Sequence, residues 1–225
     1  MMDRLFGRRG RGEEKKHLPE ERGPLQVGIR GALSVDTLSL QASLAGQEPS
    51  MQLPDVSTFV IAGIGQSMLD ADMQLTRYYD DEDRMIQVMG APACGPEDIV
   101  DTTLFLPWDS VVPASRADWT RWTGPEGCLG LPTYDAEGTL FQRFWGDGDG
   151  RTELVEFIEE VEAAEGPRRE IHQKCMLYAR PLGPVAREML LILTQRDLSG
   201  KGSESGASIE FMLGYGLSVA DVRRV

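Results

Sequence analysis

The last third of the chain alternates. Ile209, Phe211, Leu213, Tyr215 and Leu217 are apolar at every second position without a break. Successive side chains of a strand point to opposite faces, so this period of two marks a strand with one face committed to burial. Upstream, residues 188–196 (EMLLILTQR) are almost continuously apolar and read as a central strand. Gly- and Ser-rich residues 197–206 separate the two. The pair is predicted to form a long hairpin with a mobile tip.

The same period recurs earlier. In 70–79, Ala71, Met73, Leu75 and Tyr79 share one face, with Arg77 as the exception; Asp70, Asp72, Gln74 and Thr76 share the other. The acidic run Asp80, Asp81, Glu82, Asp83 interrupts the pattern, which resumes over 84–89 and predicts a hairpin. Shorter strands are expected at 35–40, 58–64, 101–108, 139–145 and 171–180, with Cys175, Leu177 and Ala179 on one face of the last. Ser115 with Asp118 predicts a helix start, carrying Trp119 and Trp122 and ending before Gly124 and Pro125. Ser218 with Asp221 predicts a final capped turn. Residues 154–162 fit a strand through Val155, Phe157 and Val161, and a helix through Leu154, Phe157, Ile158 and Val161. With no strand–helix–strand rhythm, the expected class is α+β, mainly β, with antiparallel strands and one or two short helices.

Charge divides the chain. Its net charge is −13, yet residues 1–16 hold Arg4, Arg8, Arg9, Arg11, Lys15 and Lys16 against Asp3, Glu13 and Glu14. Residues 1–23 are too polar to offset ordering entropy and are expected to be a disordered basic tail. Residues 24–225 are expected to form a single strand-rich domain. Leu5 and Phe6 beside Arg8 and Arg9 are candidates for contact with an anionic membrane or a partner. The acidic remainder argues against bulk nucleic-acid binding. Cys94, Cys128 and Cys175 are odd in number and widely spaced, as in a reducing compartment. No run approaches the roughly 20 apolar residues of a membrane helix, so a cytoplasmic location is expected.

Chemical motifs are thin. In the loop Gly146-Asp147-Gly148-Asp149-Gly150, an EF-hand count from Asp147 puts Arg151, Thr152 and Ile158 where an oxygen ligand, Gly and Glu are needed. His17 and His172 have no partner at zinc-ligand spacing. No metal, cofactor or catalytic residue is expected, and the balance leans away from an enzyme. The densest chemistry is aromatic. Trp119, Trp122, Tyr134 and Trp145, with Arg143 as a polar group, are candidates for a ligand-binding pocket, although aromatics at this density more often form core.

Three segments carry a resemblance: 23–40 (GPLQVGIRGALSVDTLSL), 131–145 (LPTYDAEGTLFQRFW) and 215–225 (YGLSVADVRRV). In that order they are similar to the YjfK-like family of uncharacterised bacterial proteins. The resemblance implies an extended conformation for 154–162. It assigns no activity. It also implies a setting, because members tend to be encoded beside a phage-shock-protein-A-like membrane-remodelling protein, a small membrane protein and an ATP-grasp ligase. Three functions are therefore expected, in descending order. The first is an accessory interaction protein with a membrane-associated partner in an envelope-stress system. The second is a small-molecule or peptide-binding module using the central aromatics. The third is an enzyme with an unrecognised carboxylate site.

Overall fold

A computed structural model describes residues 23–198 and 207–225. Along the chain run β1 (Ala32–Val35), α1 (Leu38–Leu44), β2 (Thr58–Val60), β3 (Gly63–Met68), β4 (Gln74–Tyr79), β5 (Met85–Gly90) and β6 (Ile99–Val111). Then come α2 (Arg116–Thr123), β7 (Thr133–Ala136), β8 (Thr139–Arg143), β9 (Val155–Ala163), β10 (Arg169–Leu182), β11 (Ala186–Asp197), β12 (Ser208–Gly216) and β13 (Val222–Arg224). Every strand pairing is antiparallel. The chain is α+β and mainly β, as the alternation implies.

Eight strands close into a barrel in the order β11-β12-β6-β5-β4-β3-β9-β10, with β10 returning to β11. An antiparallel barrel of this size is just wide enough for side chains to fill. The register decides which ones enter. Leu75, Arg77 and Tyr79 face Met89, Gln87 and Met85 across β4 and β5. Phe105 opposes both Met85 and Gly214, while Met212 opposes Leu191. Leu75, Tyr79, Met85, Phe105, Leu191 and Met212 pack with Phe157, Cys175 and Leu193 as one buried cluster, which is the barrel interior. Burial there pushes the Cys175 thiol up to about 11. Two glycines make room for large neighbours: a Cβ on Gly65 would fall 1.8 Å from Glu159 Oε1, and one on Gly214 would fall 2.4 Å from Phe105 Cε1.

The barrel is covered outside as well. β13, β1 and β2 form a separate three-stranded sheet. Its Leu33, Val35 and Phe59 join Leu40 and Leu44 of α1 in a second cluster, with Tyr78, Ile86, Leu104, Ile192, Leu213 and Tyr215 from the outer barrel face. So the alternating residues of β12, Ile209 to Tyr215, point outward into this layer, while Met212 and Gly214 point inward. Both faces of the strand are buried.

Four expectations need correction. Residues 35–40 are not one strand: the strand stops at Val35, Asp36 Oδ1 accepts the Leu38 N–H, and α1 follows. Leu40 and Leu44, one turn apart, are its buried pair, and Leu38 is exposed. Asp70 and Asp72 do not share a strand face, because Asp70 Oδ1 closes a turn by accepting the N–H groups of Asp72 and Met73. The short strands β7 and β13 were not anticipated. Residues 58–64 are not one strand either: β2 ends at Val60 in the small sheet, and β3 begins at Gly63 in the barrel. Elsewhere the elements follow the pattern. The acidic loop joins β4 to β5, with Asp80 accepting the N–H groups of Glu82 and Arg84, and 154–162 is extended as β9. The hairpin tip expected to be mobile falls largely outside the described residues.

Candidate functional site

Of the predicted aromatic residues, Trp119 lines a groove that Trp122, Tyr134 and Trp145 do not line. Trp122 meets the Phe211 ring edge-on at 5.6 Å, and Tyr134 stacks between Tyr178 at 5.5 Å and Phe211 at 6.2 Å. Both rings seal the outer layer of the barrel. Trp145 is half-buried and packs against both clusters. Arg143 organises a loop: its guanidinium donates to the carbonyls of Gly130, Gly146, Gly148 and Gly150. The Gly–Asp loop is thus gathered around a cation, which explains its tight turns. Among the described residues no group of three or more His, Cys, Asp or Glu side chains is placed to hold a metal ion. Leu5, Phe6, Arg8 and Arg9 lie outside the described residues.

Trp119 has a different setting. It is half-buried on α2 and forms one side of a groove of about 570 Å³. The floor is the outer face of the barrel wall, where β9, β10 and β11 lie side by side. Their register places Glu156, Lys174 and Thr194 in one row across the wall, and Ile158, His172 and Arg196 in the next. The other side is built by residues 113–116 and α2. The helix forms there because Ser115 is extended and its Oγ accepts the Asp118 N–H at 3.2 Å, while Asp118 Oδ2 accepts the Ser115 hydroxyl at 2.7 Å. Loss of this cap by Ser115→Ala is expected to cost about 1 kcal/mol. Because the site is exposed and far from the barrel interior, the loss should appear as faster amide exchange confined to α2, measured by hydrogen–deuterium exchange.

The electrostatics of the groove are specific. Among the described residues Glu156 is its one lining carboxylate. Its Oε2 receives Lys174 Nζ at 2.8 Å and its Oε1 meets His172 Nε2 at 2.5 Å. These hydrogen bonds, from Lys174 first and His172 second, hold the Glu156 carboxyl below the usual range. Arg116 and Arg196 also line the groove, and neither makes an ion pair among the described residues. Sequence reasoning missed these five polar residues, since they come from four separate elements and only the register assembles them.

The two fully buried glutamates do other work. Glu159 Oε2 lies 3.3 Å from Arg77 Nη1, and its Oε1 accepts the Tyr79 hydroxyl at 2.7 Å. Glu188 Oε2 accepts from Arg180 Nε and the Ser50 hydroxyl, both at 2.8 Å, and its Oε1 accepts from Ser50 N–H at 2.8 Å and Tyr215 at 2.6 Å. Carboxylates saturated in this way are fixtures of the fold.

Comparison with known proteins agrees with the resemblance. The chain is 26% identical over 182 residues to "Uncharacterized protein YjfK" of Escherichia coli (strain K12), covering 80% of this chain and 81% of that one. No solved structure gives a significant match. Among the described residues no helix is long and apolar enough to cross a membrane. A family model described as "Protein of unknown function (DUF2491)" matches residues 1–223, and the chain belongs to that family.

Proposed function

We propose that the chain is an accessory interaction protein that docks a membrane-associated protein partner in the groove between α2 and the β9–β11 wall. The observation that carries this reading is the groove itself, with half-buried Trp119 on one side and, along it, Arg116 and Arg196, which make no ion pair among the described residues. Trp and Arg are the side chains from which binding hot spots are most often built. The family resemblance names the partner to try first, a phage-shock-protein-A-like protein, and with it an envelope-stress role at the cytoplasmic face of the membrane. In this reading the basic head, with Leu5, Phe6, Arg8 and Arg9, adds a weak contact to anionic lipid, on the order of 1 kcal/mol per basic residue.

The other two readings have less to stand on. A ligand pocket would need Trp122, Tyr134 and Trp145 around a common space, and they pack against core instead. A carboxylate enzyme would need acids facing a substrate, and Glu159 and Glu188 face arginines and hydroxyls.

The test is a titration of the full chain with the purified phage-shock-protein-A-like protein from the same genome, by calorimetry at low salt. Saturable binding is expected, weakened about thirtyfold by Trp119→Ala, the size of a tryptophan hot spot. A variant that keeps its melting temperature and binds like the parent would exclude the groove. No binding at low ionic strength would exclude this partner.

A further inference from the structure

The charge pattern of the groove says what kind of segment it holds. The whole chain is strongly acidic, at −13, yet among the described residues the groove lining carries Arg116, His172, Lys174 and Arg196 against the single carboxylate of Glu156. That carboxylate is already shared by Lys174 and His172. Among the described residues, what remains uncompensated is the pair of arginines, one from the first turn of α2 and one from β11. A basic hollow attracts acidic groups at short range. The guanidinium fork matches a carboxylate with two parallel hydrogen bonds, which an ammonium group cannot do.

Two apolar groups lie beside the charges. Trp119 faces the groove, and Ile158, 49% exposed, is the register neighbour of His172 on the floor. The floor strands are all hydrogen-bonded within the wall, with β10 paired on both sides. A visitor therefore cannot add a strand there and must bind through its side chains.

Resting on the reading of the groove as the docking surface, we propose that its occupant is an extended acidic segment of the partner protein. Its carboxylates sit on Arg116 and Arg196, and one apolar side chain sits against Trp119. A free small dicarboxylate is the competing occupant, having the same charge without the apolar contact.

The experiment uses the full chain and a short fluorescein-labelled Glu-rich peptide with one central Leu, read by anisotropy. A Lys-rich peptide with the same Leu is the control, and succinate is the competitor. The Glu-rich peptide is expected to bind and the Lys-rich peptide is not. The double variant Arg116→Glu with Arg196→Glu should weaken binding about tenfold, as two exposed charge pairs imply. Replacing the central Leu by Gly should weaken it further. Equal binding of the two peptides, an unaffected double variant, or complete displacement by succinate at equal carboxylate concentration would each overturn the proposal. Failure here is separable from failure of the docking reading. Partner binding that Trp119→Ala weakens but the arginine double variant leaves unchanged removes acid recognition and keeps the groove. Peptide capture without partner binding removes the partner and keeps the chemistry.

Discussion

Replacing Arg77 with Met is expected to cost about 3–5 kcal/mol of folding stability, as breaking a buried ion pair does. Arg77 is 2% exposed inside the barrel. Its Nε donates to Gln87 at 3.0 Å, its Nη1 donates to Gln173 at 2.6 Å and lies 3.3 Å from Glu159, and its guanidinium sits 5.3 Å from the centre of the Phe157 ring. Gln173 also donates to Glu159. Burial works against the Arg77 charge, and Glu159 with Tyr79 and Cys175 outweighs it, so the guanidinium stays above its ordinary value. Removing the cation leaves Glu159 as an uncompensated charge in a closed interior. The matching test is Glu159→Gln in the same background. It removes the second charge while keeping an acceptor for Tyr79, so the double variant should regain a substantial part of the loss. Urea unfolding reads this directly, through midpoints at constant m-value. An Arg77→Met midpoint equal to that of the parent would mean that water enters the barrel and screens the pair.

The alternation in the sequence makes the strands legible, but not their arrangement. β4 is a case in point. Leu75 and Tyr79 mark a face, and Arg77 looks like an exception to it. The face is the barrel interior, and Arg77 belongs there because Glu159 arrives from β9, 82 residues away. Local pattern cannot supply that partner. The same holds for barrel closure, where β3 pairs with β9 through Gly65 opposite Val161. Hairpins such as β10–β11 are legible because their strands are adjacent in sequence. A pairing across a hundred residues leaves no local trace.

β9 itself shows the limit of composition. Its outward positions Glu156, Ile158 and Glu160 and inward positions Phe157, Glu159 and Val161 both mix apolar and acidic residues, so neither period stands out. The inward Glu159 is the cause, since the partner that satisfies it lies elsewhere. α1 failed for the opposite reason. Leu38, Ser39 and Leu40 imitate a period of two over three residues, and the decisive signals were the Leu40–Leu44 spacing and Asp36 ahead of it. The groove was the least legible part, because Arg116, Glu156, His172 and Arg196 are each unremarkable in sequence and share only a location. Trp119 and Trp122 sit one turn apart on α2, and the sequence does not say that one lines the groove while the other packs on Phe211.

Glu188→Ala is expected to be as damaging as Arg77→Met, at about 3–5 kcal/mol, but with a different local signature. Glu188 is fully buried on the outer barrel face, opposite Arg180 in the β10–β11 register. It collects four hydrogen bonds, two of them from Ser50. Burial and the bond to Glu188 together push the Tyr215 hydroxyl well up. Arg180 completes the clasp by donating from Nη2 to the Glu48 carbonyl at 2.7 Å. The carboxylate therefore fastens the connection between α1 and β2 onto the barrel. Its loss should lower the melting temperature by about 10 °C for a chain of this length. It should also release residues 46–57, seen as earlier proteolytic cleavage there and faster exchange of the Ser50 amide. Glu188→Gln keeps an acceptor of the same shape and should lose roughly half as much, since bonds to a charged group contribute about 1.5–3 kcal/mol. Arg77→Met, acting inside the barrel, should destabilise without freeing this segment ahead of global unfolding. An unchanged Ser50 amide in Glu188→Ala would show that the segment is held by its apolar contacts alone, with the carboxylate serving only Arg180 and Tyr215.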